Sequence, residues 1–205
     1  NLVLLLASIV FYAWGEPVYV ILMLLSIGFN NIAGRRFAEL FDKSQRKKQL
    51  IIAIVITLLL LGFFKYAGFL VGTINGIFGA SIPWRELPLP IGISFYTFQA
   101  LSYIIDVYRR NVRVQRNIID FGTYITMFPQ LIAGPIVRYD QVELQLARRS
   151  INLAKAGQGM ERMLLGLGKK VILANNLGLL YTTIQAADER SVLTAWLGAI
   201  AYTLQ

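Results

Sequence analysis

The sequence contains neither cysteine nor histidine among its 205 residues. Without cysteine, the chain has no disulfide, no thiolate nucleophile and no cysteine-based metal site. Without histidine, it has no Ser-His-Asp triad, no histidine general base and no histidine metal ligand within these residues. The acidic residues are isolated, apart from Asp188 with Glu189 and Asp140 near Glu143. We therefore expect no metal site and no bound cofactor in this chain.

Charged residues are also scarce. They make up 15% of the chain, whereas hydrophobic residues make up 56% and the mean hydropathy is +0.58. A soluble domain has more charge and less apolar content. The net charge of +9 raises the question of nucleic-acid binding, but the basic residues cluster between apolar runs and no nucleic-acid motif is present. The composition therefore indicates an integral membrane protein.

Apolar runs divide the chain into helix-length segments. Residues 1–14 are too short to cross about 30 Å of hydrocarbon, and residues 50–72 are the clearest span. The remaining apolar runs are 17–34, 89–108, 117–137, 171–187 and 191–205. They predict an all-α, polytopic transmembrane protein with one membrane domain over residues 1–205. Because both ends lie inside apolar runs, we expect the chain to be a piece of a longer protein.

The basic residues predict the topology, because cytoplasmic loops are enriched in lysine and arginine. The segments 35–48, 109–116 and 138–170 are accordingly predicted to be cytoplasmic loops. If residues 117–137 crossed the membrane fully, the second and third of these segments would lie on opposite sides. We therefore predict that 117–137 is a re-entrant segment that does not cross.

The last basic segment also has a helical pattern. Apolar and basic residues alternate over 150–170 as in an amphipathic helix at the cytoplasmic interface, and Ser150 or Asn152 is suited to cap its start. The sequence GLGKK at its end does not form a phosphate-binding loop, because Met163 and Lys170 replace the required glycine and hydroxyl residue.

One helix-length stretch, LPLPIGISFYTFQALSYIIDVYRR over 87–110, has its polar residues on one face. Tyr96, Gln99, Tyr103 and Asp106 are spaced by 3, 4 and 3 residues, so they form a stripe along a helix. Two interpretations are open. The stripe makes ordinary interhelical hydrogen bonds, with Asp106 paired to Arg109 or Arg110. Alternatively, Tyr96, Gln99 and Tyr103 line a substrate passage.

A second stretch, FPQLIAGPIVRYD over 128–140, is rich in helix-breaking residues. It is either a proline-kinked helix or a re-entrant segment that forms the wall of a reaction chamber. The topology favours the second interpretation, because broken backbone at membrane depth must be buried in protein or line a cavity. Gln130 and Pro135 are the candidate residues of this wall.

The two stretches LPLPIGISFYTFQALSYIIDVYRR and FGTYITMFPQLIAGPIVRYDQV together resemble the membrane-bound O-acyltransferase family. The resemblance extends over essentially the whole chain. It is strongest to the branch that acetylates exported polysaccharides such as alginate, with peptidoglycan O-acetylation and teichoic acid D-alanylation as neighbouring alternatives.

The resemblance implies a partial ring of transmembrane helices around an acyl passage in a bacterial inner membrane. It also implies an acyl donor such as acetyl-CoA or an acyl carrier, a polysaccharide acceptor and periplasmic acetyltransferase partners. The catalytic histidine of the family follows a later motif, so we expect it beyond Gln205 and expect no catalysis from these 205 residues alone. Two other classes stay open from the residues, namely half of a transporter or channel and a non-catalytic membrane scaffold.

Overall fold

The computed structural model describes residues 1–85, 87–131, 134, 136–149, 152–187 and 191–205. Within these ranges every regular element is a helix, which confirms the predicted all-α fold. The helices of the first part are α1 (Leu2–Gly15), α2 (Tyr19–Glu39), α3 (Lys43–Phe78), α4 (Ile93–Arg109), α5 (Ile118–Thr126), α6 (Phe128–Leu131) and α7 (Tyr139–Ala147). The helices of the second part are α8 (Leu153–Gly168), a π-helical segment (Lys169–Ala174), α9 (Asn175–Ala186) and α10 (Val192–Leu204).

Two helical segments of the described ranges, Lys43–Phe78 and Leu153–Ala186, are long and apolar enough to cross a membrane. Helix α3 has 36 residues, so at about 1.5 Å per residue it is longer than the hydrocarbon core of a bilayer. Much of its apolar surface is exposed, including the side chains of Leu59 and Phe69. Such a surface suits a helix that contacts lipid, as expected of an all-α membrane protein.

The chain forms two compact units, Asn1–Arg149 and Ser150–Gln205. In the first unit α4 is the central helix, because it packs against α2, α3 and α5, while α1 packs against α5. More than half of the α4 side chains are buried. In the second unit α9 packs against α10, and the rings of Tyr181 and Tyr202 lie 5.1 Å apart. The prediction of a single membrane domain stays a prediction.

The predicted loop 35–48 is wrong in extent. Helix α2 continues to Glu39 and α3 begins at Lys43, so the connection is three residues long. Arginine and lysine are good helix formers, and the charge that marks a membrane surface does not end a helix. The side chain of Asp42 accepts a hydrogen bond from Ser44 N at 3.0 Å and caps α3.

The predicted loop 138–170 is likewise mostly helical, since it contains α7 and α8. The side chain of Asn152 accepts from Lys155 N at 2.7 Å, which confirms one of the two predicted caps. The other, Ser150, lies outside the described residues. No helix end separates α8 from the apolar run that follows, because the π-helical segment carries the backbone into α9.

The segment 117–137 does not form one membrane-length helix. Helix α5 has nine residues, about 14 Å, and α6 has four. Their break at Met127 follows from Pro129. A continuous helix would need an N–H at residue 129 to donate to the carbonyl of Ile125, and proline has none. The interruption confirms that the helix is broken, and the prediction that the segment does not cross the membrane stays a prediction.

Candidate functional site

The polar stripe of α4 lies inside the first unit. Tyr96, Gln99, Tyr103 and Asp106 are all buried, as the 3-4-3 spacing on a helix with one protein-facing side predicts. Helix α4 begins after Gly92, whose φ of 74° is in the left-handed region. A Cβ at Gly92 would lie 2.9 Å from the carbonyl oxygen of Leu131. Glycine at this position therefore lets the end of α6 approach the start of α4 closely.

The side-chain amides of two predicted site residues meet at one backbone carbonyl. Gln99 Nε2 donates to the carbonyl oxygen of Tyr124 at 2.8 Å, and Gln130 Nε2 donates to the same oxygen at 2.9 Å. In a continuous helix this carbonyl would accept from the N–H of Phe128, which instead points to Ser8 Oγ at 3.4 Å. The two glutamines thus satisfy the backbone group that the break in the helix leaves free.

Two further hydrogen bonds fix the position of the chain that follows α6. The Tyr124 hydroxyl donates to the carbonyl of Val137 at 2.9 Å, and Gly134 N donates to the carbonyl of Gln130 at 3.3 Å. A Cβ at Gly134 would lie 2.8 Å from the Cα of Gln130, so this turn requires glycine. Pro135, the other residue predicted for the wall, lies outside the described residues.

Tyr103 of the polar stripe belongs to a cluster of four aromatic rings. Tyr103 lies with its ring centroid 4.7 Å from that of Phe121 and 5.1 Å from that of Tyr139. Tyr124 lies 5.2 Å from Tyr139 and 6.3 Å from Phe121. All four side chains are buried. The tilted and edge-to-face arrangements are the favourable ones for aromatic pairs, so the cluster ties α4, α5 and α7 together.

Gln115, which the sequence did not single out, connects these elements through hydrogen bonds. Its backbone N–H donates to the Tyr103 hydroxyl at 2.9 Å, and its side-chain Nε2 donates to the Tyr139 hydroxyl at 3.0 Å. Its carbonyl accepts from Asn31 Nδ2 at 3.0 Å, and its Oε1 accepts from Asn117 N at 2.9 Å. All its polar groups are therefore paired. Burial raises the pKa of the Tyr139 phenol, so this hydroxyl stays protonated.

Asp106 pairs with an arginine that is distant in sequence. Arg138 Nη2 lies 3.2 Å and 3.3 Å from the two carboxylate oxygens of Asp106. The predicted pairing with Arg109 or Arg110 is wrong. Arg110 is the C-cap of α4, with φ of 64°, and the backbone turns away at this point. The ion pair instead fastens the chain that follows α6 to the end of α4.

Two hydroxyl groups of α4 are buried without a hydrogen-bond partner among the described residues, Tyr96 Oη and Thr97 Oγ1. An unsatisfied buried hydroxyl costs about 1–3 kcal/mol. Both side chains are fully buried, so lipid cannot reach these hydroxyl groups to form the missing hydrogen bonds. Gln99 and Tyr103, the other two predicted passage residues, each form a hydrogen bond, whereas the Tyr96 hydroxyl forms none with the described residues.

The polar side chains of the described residues can position other groups through hydrogen bonds and ion pairs. No group of three His, Cys, Asp or Glu side chains suited to a metal occurs among them. The stripe provides one amide, two phenols and one paired carboxylate, and it holds an interrupted helix in the protein interior.

Fold and site together define a helical membrane protein with a broken, protein-enclosed segment between α4 and α7. The chain is similar over its whole length to proteins that acetylate polymers. It is 40% identical over 210 residues to the probable alginate O-acetylase of Pseudomonas aeruginosa and 40% identical over 211 residues to that of Azotobacter vinelandii. A peptidoglycan O-acetyltransferase of Helicobacter pylori is 29% identical over 98% of the chain.

These similarities confirm the predicted resemblance to alginate O-acetylases and to a peptidoglycan O-acetyltransferase. The chain spans about two fifths of the length of these relatives, with 40%, 42% and 44% of them covered. No family model matches the chain. No solved structure matches it either.

Proposed function

We propose that the protein containing this chain is a membrane O-acyltransferase that moves an acetyl group across the membrane to hydroxyls of an exported polysaccharide such as alginate. The observation that carries this proposal is the whole-length similarity, at 40% identity, to two proteins named as alginate O-acetylases. The protein is proposed to lie in a bacterial inner membrane with several spans. The basic segments 35–48, 109–116 and 138–170 are proposed to lie on the cytoplasmic side, because cytoplasmic loops are enriched in lysine and arginine.

In this proposal α4 and the interrupted segment α5–α6 form part of the wall of the acyl passage. Tyr96, Gln99, Tyr103, Asp106, Gln130 and Pro135 are its support residues. Two features support this role: the enclosed, broken backbone and the Tyr96 hydroxyl, which has no hydrogen-bond partner among the described residues. Both are costly in a helix bundle without a polar interior.

The chemical step is proposed to take place outside residues 1–205. An acceptor hydroxyl attacks the acyl carbon of a thioester donor, such as acetyl-CoA or an acyl carrier. A new ester C–O bond forms and the C–S bond breaks, while a base takes the hydroxyl proton and passes it to the departing thiolate, which leaves as the thiol. Histidine suits this base because its pKa is near neutrality, and this sequence contains none. These residues alone are therefore proposed to be inactive. Periplasmic acetyltransferase partners are proposed to complete delivery to the polymer.

The experiment is deletion of the gene and complementation with the full-length protein, followed by measurement of ester-linked acetyl groups on the exported polysaccharide by NMR and mass spectrometry. Loss on deletion and restoration on complementation are expected. One histidine substitution in the full-length protein should abolish restoration while the protein level stays normal. An unchanged acetyl content after deletion would contradict the proposal.

A second acceptor, peptidoglycan, is favoured by the similarity to the Helicobacter pylori peptidoglycan O-acetyltransferase. It is tested in the same strains by measuring O-acetyl groups on muramic acid. Loss of these groups with an unchanged exopolysaccharide would assign the activity to peptidoglycan.

A further inference from the structure

A strongly basic pocket lies where α3 begins and α4 ends. Its volume is about 720 Å³, and five cationic side chains line it: Lys43, Arg46, Lys47, Arg109 and Arg110. No carboxylate of the described residues lines it. Among those residues, Lys43, Lys47, Arg109 and Arg110 form no ion pair. The pocket therefore concentrates positive charge without an internal counter-charge.

Arg46 makes this arrangement more than a solvated basic surface. The residue is only 8% exposed, and its Nη2 donates to the Tyr108 carbonyl at 2.9 Å. Its guanidinium carbon lies 5.5 Å from the centroid of the Tyr108 ring. Its Nε is buried and has no hydrogen-bond partner in the described part of the chain. A buried cation without a carboxylate is costly, and an anion in the pocket would offset that cost.

The surroundings of the pocket are apolar. A recess of about 240 Å³ shares Phe41, Arg46 and Arg110 with the basic pocket. Its other walls include Phe37, Leu40, Val107 and Val112. The Phe41 side chain is 93% exposed at the rim. A basic mouth next to an apolar recess and an exposed phenylalanine matches an amphiphile with an anionic head, and a free phosphate would use only the mouth.

We propose that this pocket binds the phosphate headgroup of an anionic phospholipid at the membrane surface where α3 begins. The lysines and arginines contact the phosphate oxygens, and Phe41 with the adjoining recess contacts the apolar part of the lipid. Basic pockets beside transmembrane helices bind lipid headgroups in this way. The proposal is independent of the acyl-transfer reaction, because neither the stripe of α4 nor the interrupted segment takes part.

The test uses the full-length protein purified in detergent and titrated with phosphatidylglycerol, with bound lipid counted by native mass spectrometry. Phosphatidylcholine, whose zwitterionic headgroup has no net charge, is the comparison and is expected to bind more weakly than phosphatidylglycerol. The double variant Lys43→Gln/Lys47→Gln is expected to weaken phosphatidylglycerol binding by about 25-fold, roughly fivefold for each charge. The matched control is Lys48→Gln/Arg113→Gln, which removes the same charge from exposed residues that do not line the pocket. It is expected to leave binding nearly unchanged.

All four substituted side chains are exposed, so folding is expected to persist, and size-exclusion profiles and melting curves verify it. Equal weakening by both double variants, or by neither, would overturn the proposal. Inorganic phosphate at millimolar concentration serves as a competitor. The variant Phe41→Ser is expected to weaken lipid binding without changing any phosphate binding. Displacement of lipid by phosphate, with no effect of Phe41→Ser, would assign the pocket to a soluble phosphate and overturn the lipid assignment.

Discussion

Gln99 on α4 donates its side-chain amide to the backbone carbonyl of Tyr124, the residue whose helical partner is lost where α5 ends. Gln130 on α6 donates to the same oxygen. A single acceptor thus joins the central helix to both halves of the interrupted segment. The interruption is held in place by side chains that the sequence places in the two motif stretches.

The shared acceptor predicts coupled effects of Gln99→Leu and Gln130→Leu. Each single variant leaves one donor, so each should lower the free energy of unfolding by about 1 kcal/mol. The double variant leaves the carbonyl buried and unsatisfied, so its loss should exceed the sum of the two single losses. Melting of the full-length protein in detergent measures this. Gln141→Leu, at an exposed position of α7, is the control. Strictly additive losses would show that the two amides do not share the carbonyl.

The ion pair between Asp106 and Arg138 predicts an asymmetry. The Asp106 side chain is 5% exposed and that of Arg138 is 50% exposed. Arg138→Gln leaves a buried carboxylate without its cation, whereas Asp106→Asn leaves an arginine that water can solvate. We expect Arg138→Gln to be the more destabilising change, by about 1–2 kcal/mol after allowance for the exposed arginine.

Melting curves of the two variants check this order, and Arg113→Gln, at an exposed arginine, controls for the loss of one positive charge. The double variant Asp106→Asn/Arg138→Gln should be more stable than Arg138→Gln alone, because it no longer buries an unpaired charge. The reverse order of the single variants would mean that Asp106 is solvated in the assembled protein.

The parts of this fold that could be predicted follow from local rules. Spacing on a 3.6-residue helix is enough to place Tyr96, Gln99, Tyr103 and Asp106 on one buried face. The helix-breaking residues of 128–140, among them Pro129 without an N–H, are enough to predict a broken stretch, and the structure places the break just before it at Met127. Both predictions need only the chain within about one helical turn.

The parts that could not be predicted depend on contacts between distant segments. Asp106 has Arg109 and Arg110 near it in sequence, yet Arg138 reaches it because the chain returns after α6. Gln115 gave no signal, because a polar residue in a basic connection shows no periodicity before Tyr103 and Tyr139 are brought to it. The ends of α2 and α3 were also predicted wrongly from the charged residues. Charge indicates where the chain meets the membrane surface, but it does not determine the backbone conformation.

Gly34 on α2 lies against the ring of Tyr103, and this contact predicts a position-specific effect of alanine. A Cβ at Gly34 would lie 3.0 Å from Tyr103 Cε1 and 3.2 Å from its hydroxyl. Gly34→Ala should therefore displace the ring and weaken the bond from Gln115 N, at a cost of about 1–3 kcal/mol. Gly28→Ala on the same helix meets nothing within 4 Å and should be neutral or slightly stabilising. Equal melting temperatures of the two variants would contradict the close contact.

Variants of Tyr96 and Tyr103 distinguish a role in the acyl passage from a role in packing alone. The Tyr103 hydroxyl accepts from Gln115 N, so Tyr103→Phe should lower the free energy of unfolding by about 1 kcal/mol. The Tyr96 hydroxyl has no partner among the described residues, so Tyr96→Phe should leave stability unchanged or raise it. If this hydroxyl faces the acyl passage, Tyr96→Phe should nevertheless reduce polymer acetylation in the complemented strain. Unchanged acetylation, together with unchanged or raised stability, would remove Tyr96 from the passage and leave it as packing.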